Sequence, residues 1–186
     1  LTGPNVYFNQ PAVALEALAL SISDSQLARW QDLVEHISSA MHWPAPMVYM
    51  KSHAKGATLA FTAPPDQLYC ATEINEWSWS VACGDGTQFS PAFPSIDDVE
   101  SAIQCFRKIA AAEAEPLLFE FIAKAEAKGW PVLLDEDTVS IGFGAQSRSW
   151  PRQPFLEFPD LPKSAVKQIP IAMVTGSNGK TTSVRL

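Results

Sequence analysis

An apolar run, Ile169-Pro170-Ile171-Ala172-Met173-Val174, leads directly into Thr175-Gly176-Ser177-Asn178-Gly179-Lys180-Thr181-Thr182. This junction constrains local structure more tightly than any other stretch of the chain. The run is short and opened by proline, as expected of a buried strand feeding a glycine turn, and a helix is expected to begin at Lys180. Backbone N–H groups from Gly176 to Thr181 would then converge at a helix N-terminus, where aligned peptide dipoles favour an anion such as phosphate. Glycine at 176 and 179 leaves room for that approach. Lys180 would neutralise β and γ phosphates, and the Thr181 hydroxyl would ligate Mg2+. The general phosphate-loop pattern has a further glycine five residues before Gly179, where this chain has Val174.

The shorter form, Gly176-Ser177-Asn178-Gly179-Lys180-Thr181-Thr182 behind Val174 and Thr175, resembles the ATP-binding signature of the Mur ligase superfamily. The resemblance covers about the last dozen residues and is dense within them. The sister branch of folylpolyglutamate synthetases usually has glycine and serine after the lysine, so Thr181 and Thr182 favour the Mur and cyanophycin synthetase side. Gly3-Pro4-Asn5, with Tyr7 and Phe8 close behind, is similar to the opening of cyanophycin synthetases. Those enzymes place an ATP-grasp domain between the two regions, whereas a short proline-rich stretch separates them here. No diphosphate loop of the kind that binds a UDP-sugar in the peptidoglycan Mur ligases is evident in residues 1–165.

The resemblance implies a Mur ligase family protein with a cyanophycin-synthetase-like front end. Its expected activity is that of an ATP-dependent carboxylate–amine ligase. A carboxylate attacks the γ-phosphate of ATP to give an acyl phosphate and ADP, and an amine then displaces phosphate to form an amide. The implied partners are ATP, a small-molecule or polymer carboxylate, and an amino acid or other amine. Lys180 is the implied catalytic residue. The ATP-binding set is Gly176, Ser177, Asn178, Gly179, Lys180, Thr181 and Thr182, with Thr181 on the metal. Two other readings compete: another phosphate-loop NTPase, and a non-catalytic module in residues 1–165 that recognises a substrate or partner. The family's second magnesium site, adenine pocket and amine-binding domain are expected beyond Leu186, so the 186 residues by themselves are expected to be inert.

A chain of 186 residues, 47% of them hydrophobic, has enough apolar surface for one ordinary domain and an appendage. Its net charge of -7 without any Lys or Arg cluster argues against nucleic acid and anionic lipid as partners. No apolar stretch reaches the roughly 18 residues of a membrane span, and no leader is evident, so a cytoplasmic protein is expected. Cys70, Cys83 and Cys105 are odd in number and widely spaced, unlike a disulfide framework or a zinc site.

The fold class expected is α+β. A strand is anticipated over 13–21. After a cap at Ser23 or Asp24, Leu27, Trp30, Leu33, Val34, Ile37 and Met41 mark a helix ending near Trp43. A second strand spans 57–62, and helices follow over 67–83, from about Val99, and from Pro116 to Gly129. A hairpin flanks Asp135-Glu136-Asp137-Thr138. The expected divisions are a small mixed domain with helices on a sheet over 1–146, a proline-rich linker over 147–168, and over 169–186 the first strand and phosphate loop of a truncated α/β domain of Mur type.

Three weaker constellations remain. Gly142-Phe143-Gly144-Ala145-Gln146-Ser147 partly matches a dinucleotide fingerprint, with Arg148 as its anion contact, but reads better as a glycine-rich strand exit. Glu73 and Glu76 share a helix face and can be imagined on a metal or a cationic group, yet a solvated face is the commoner outcome. His36, His42 and His53 have no ligand spacing.

Overall fold

The computed structural model describes residues 1, 3–18, 21–84, 98–135 and 137–152. The strand and loop expected over 169–182 lie outside the described residues, as does the stretch 153–168. The described residues form an α+β fold with helices and two small antiparallel sheets. The chain divides into two compact units, Leu1–Ala114 and Glu115–Leu186. None of the described helices is long and apolar enough to cross a membrane.

The first unit has strands β1 (Ala12–Leu18), β2 (Val48–His53) and β3 (Gly56–Thr62) in the order β1-β3-β2. Val13, Leu15 and Ala17 of β1 lie in register with Phe61, Leu59 and Ala57 of β3, and this face packs into the core. Helices α1 (Asp24–Ala40), α2 (Leu68–Cys83) and α3 (Val99–Glu113) supply the other layer, with α2 packed on β1 and flanked by α1 and α3. Trp30, Val34 and Ile37 of α1 are completely buried, as the helical spacing anticipates. Ser23, of the two candidate caps, starts α1: its hydroxyl accepts from Gln26 N–H, and the Gln26 side chain accepts from Ser23 N–H at 2.9 Å. The helix closes on His42, whose φ of 60° is left-handed, with Trp43 N–H donating to Ser38 O and His42 N–H to Ser39 O.

The sequence pattern singles out no strand between Pro44 and Ala57, yet β2 is there. Val-Tyr-Met-Lys-Ser-His lacks a clean alternation because four of its six residues are exposed. A two-residue loop, Ala54-Lys55, joins β2 to β3. Gly56 closes this hairpin at φ +149°, and a Cβ there would lie 1.8 Å from the Ala17 carbonyl oxygen, so only glycine lets β1 approach.

The second unit sets α4 (Pro116–Glu126) on the sheet β4 (Val132–Leu134), β5 (Thr138–Ile141) and β6 (Arg148–Pro151). Leu118, Phe121, Ala125, Val139 and Ile141 form its buried core, and Phe121 meets Trp150 edge-on at 5.1 Å. Strand β6 falls within the stretch that the prolines mark as linker. Pro151 is tolerated because it ends an edge strand.

Candidate functional site

The sequence-derived ATP set, Gly176, Ser177, Asn178, Gly179, Lys180, Thr181 and Thr182, lies outside the described residues. Its donor chemistry is read from composition: one ammonium group, several hydroxyls, backbone N–H groups and no carboxylate. That set suits a polyphosphate with a hard cation.

The partial dinucleotide fingerprint is a turn between two antiparallel strands. Gly142 and Gly144 both take positive φ, 82° and 75°, and Gly144–Gln146 make one 3-10 turn that delivers the chain into β6. No helix N-terminus follows, so the motif lacks the dipole that a pyrophosphate site needs. Arg148 is exposed on β6, opposite Ile141 of β5.

Glu73 and Glu76 do lie one turn apart on α2. Burial pushes the Glu73 carboxyl above its ordinary value, the Glu76 charge adds to the rise, and the Tyr69 side chain offsets part of it. The Glu73 Oε2 atom is enclosed without a hydrogen-bond partner. Among the described residues no three His, Cys, Asp or Glu side chains are grouped to hold a metal ion.

A third carboxylate completes this end of α2. Gln67, at the helix N-cap, makes no capping bond with its side chain, because its Oε1 accepts from Trp43 Nε1 at 2.6 Å. Glu113, from the end of α3, takes over: its carboxylate accepts from Tyr69 N–H at 2.7 Å and from Cys70 N–H at 2.9 Å. A negative charge at a helix N-terminus is favourable, so Glu113 is a cap supplied across the fold. Burial, with the nearby Glu113 charge second, pushes the Cys70 thiol up to about 12. Such a thiol carries negligible thiolate at neutral pH and is no nucleophile.

On the opposite face of the first sheet, Glu16 joins two strands. Its Oε1 lies 2.5 Å from His53 Nε2, and its Oε2 accepts from Thr58 Oγ1 at 2.9 Å. His53 Nδ1 accepts from Lys55 N–H at 3.3 Å, which fixes Nε2 as the proton-bearing nitrogen. Both ring nitrogens are thereby engaged, Nε2 with Glu16 and Nδ1 with Lys55 N–H, so neither is free to activate a nucleophile. Neither Glu113 nor Glu16 is legible from spacing, since their partners lie 37 to 44 positions away.

A shallow cleft of about 280 Å³ is lined by Pro11, Pro44, Thr62, Ala63, Pro64 and Pro65 among others. It is mostly apolar and holds no charged side chain. No protein-family model matches the sequence, and no curated protein matches it.

Proposed function

We propose that the chain belongs to an ATP-dependent ligase that joins a carboxylate to an amine through an acyl phosphate. What carries this is one sequence observation, the uninterrupted order of the apolar run Ile169 to Val174, Gly176-Ser177-Asn178-Gly179, Lys180 and paired Thr181 and Thr182. Lys180 would draw charge from the γ-phosphate as the carboxylate attacks, and Thr181 would hold Mg2+ against the same phosphates. Both act by neutralising and aligning charge, which is most of what phosphoryl transfer requires.

The test is nucleotide binding and phosphate release. The intact protein should bind a fluorescent ATP analogue in the presence of Mg2+, and Lys180→Ala should weaken that binding at least tenfold, corresponding to about 1.4 kcal/mol. In the intact protein, phosphate release should need both a carboxylate and an amine. Release without an amine would make it another kind of NTPase. Absence of nucleotide binding in the intact protein would favour the reading of residues 1–165 as a recognition module.

A further inference from the structure

The outer edges of β1 and β2 are not equivalent. Thr62 N–H donates to Met47 O, and Ala63 N–H donates to Pro11 O, which fixes the hydrogen-bond phase on both sides of β3. With the observed register, Ala57, Leu59 and Phe61 exchange bonds with β1, while Gly56, Thr58 and Ala60 exchange them with β2. On β2 it follows that Tyr49, Lys51 and His53 are tied to β3. Val48, Met50 and Ser52 aim both N–H and C=O away from the sheet. The matching edge of β1 is partly closed, since Ala12 N–H donates to Leu1 O at 3.0 Å.

The helical layer is also off-centre. It packs over β1 through α2, and β2 overhangs it: Met50 and Ser52 face the helical side yet are exposed, Met50 at 38%. Among the described residues nothing pairs with this edge of β2, and an open edge with a partly exposed apolar residue on its core side is a template for another strand.

We propose that β2 pairs antiparallel with β2 of a second copy, about a two-fold axis through Met50, to make one six-stranded sheet. In an antiparallel pair, facing residues point to the same side, so a two-fold normal to the sheet must pass through a residue and not between two. Three registers are near enough to consider. Centring on Lys51 sets Lys51 against its own copy, a like-charge contact that is destabilising. Centring on Tyr49 leaves Ser52 of each copy beyond the end of the other's strand. Centring on Met50 matches all three outward residues: Met50 faces Met50, and Val48 faces Ser52 twice, each pair exchanging two hydrogen bonds. Lys51 of each copy then faces Tyr49 of the other in the closer, non-hydrogen-bonded positions, where an ammonium meets an aromatic face. The two Met50 side chains fill the bare margin between the helical layers. The seam is short against the roughly 1,200 Å² that a stable interface buries, so a reversible dimer with a dissociation constant on the order of 10–100 µM is expected.

Sedimentation velocity on the full chain, over about 1 to 500 µM so as to span that range, tests this. Monomer should convert to dimer, and the amides of Met50 and Ser52 should exchange more slowly as concentration rises, while Tyr49 and Lys51, already bonded to β3, stay unchanged. Met50→Pro removes only an outward N–H and should weaken the dimer at least tenfold. Met50→Lys, which sets two ammonium groups face to face, should do the same without altering the backbone. A chain that stays monomeric throughout overturns the proposal. So does a dimer indifferent to both substitutions, or protection of these amides that appears only on adding an unrelated extended peptide.

Discussion

The two units solve the same problem with different means. Leu1–Ala114 ties distant parts of the chain together with polar contacts inside or beside its core. Trp30 Nε1 donates to Asn75 Oδ1 at 3.0 Å, Asn75 Nδ2 donates to Leu59 O, and Glu113 caps α2. From Glu115 onward the described core is five residues, and its polar ties are half-buried or exposed. Arg152 forms an ion pair with Glu115, its guanidinium held further above its ordinary value by that hydrogen bond, and Asp135 closes the β4–β5 turn by accepting from Asp137 and Thr138 N–H. A large core can afford buried amides because each is fully paired, whereas a small one must rely on its rings and on turns that water still reaches.

The largest effect is expected from the smallest core. Phe121→Ala removes the ring that meets Trp150, and such truncations cost about 3–5 kcal/mol. That is comparable to the whole stability available to a unit of this size. Amide exchange followed by mass spectrometry should show β4, β5 and β6 losing protection while β1 and β3 keep theirs. Equal loss in both sheets would mean that the two units melt together and do not hold their cores independently.

In the larger unit a smaller change tests the buried tie. Trp30→Phe keeps a ring at a fully buried position but strips the donor from Asn75, itself 1% exposed. Leaving that acceptor unpaired should cost about 1–3 kcal/mol, read as a lower urea midpoint with an unchanged slope. An additional Asn75→Leu substitution should lose less than the sum of the two single effects, because the orphaned group is gone. Additive losses would show that the two side chains do not act as a pair.

How much of this was legible differs by element in the same way. The α1 stripe, the Pro116 start of α4, and the strand over 57–62 were readable because local periodicity and capping decide them. Strand β2 was not readable: its partner β3 and its exposed edge determine it, and neither leaves a periodic mark on Val-Tyr-Met-Lys-Ser-His. Strand β6 was hidden by the prolines around it, one of which its edge position tolerates. At the candidate site, the expectation of a phosphate loop over Gly176 to Thr182 rests on residue order alone, and those residues lie outside the described ones. The carboxylate of Glu113 is the reverse case, since its role exists only once α3 ends beside the start of α2.

The smallest effect separates the units by sign. In α2 the Glu73 carboxyl is raised above its ordinary 4.5 by burial and by Glu76, so its ionised form is worse accommodated folded than unfolded. That penalty is present at neutral pH and is relieved as pH falls through the folded value towards 4.5. Asp135 is lowered below its ordinary 3.8 by hydrogen bonds from Thr138 and Asp137. Its stabilisation is complete above 3.8 and is lost as pH falls through the folded value. Asp98, the α3 cap, is lowered in the same way by Ser101, so the first unit also weakens once that lower range is reached. Between pH 7 and 4.5 the first sheet and its helices should therefore gain slightly, with no such gain in β4 to β6. Glu73→Gln should raise the midpoint at pH 7 and abolish the gain on acidification. If the variant keeps the wild-type pH profile, the enclosed Glu73 oxygen is not the source of the difference, and the two units respond to acid alike.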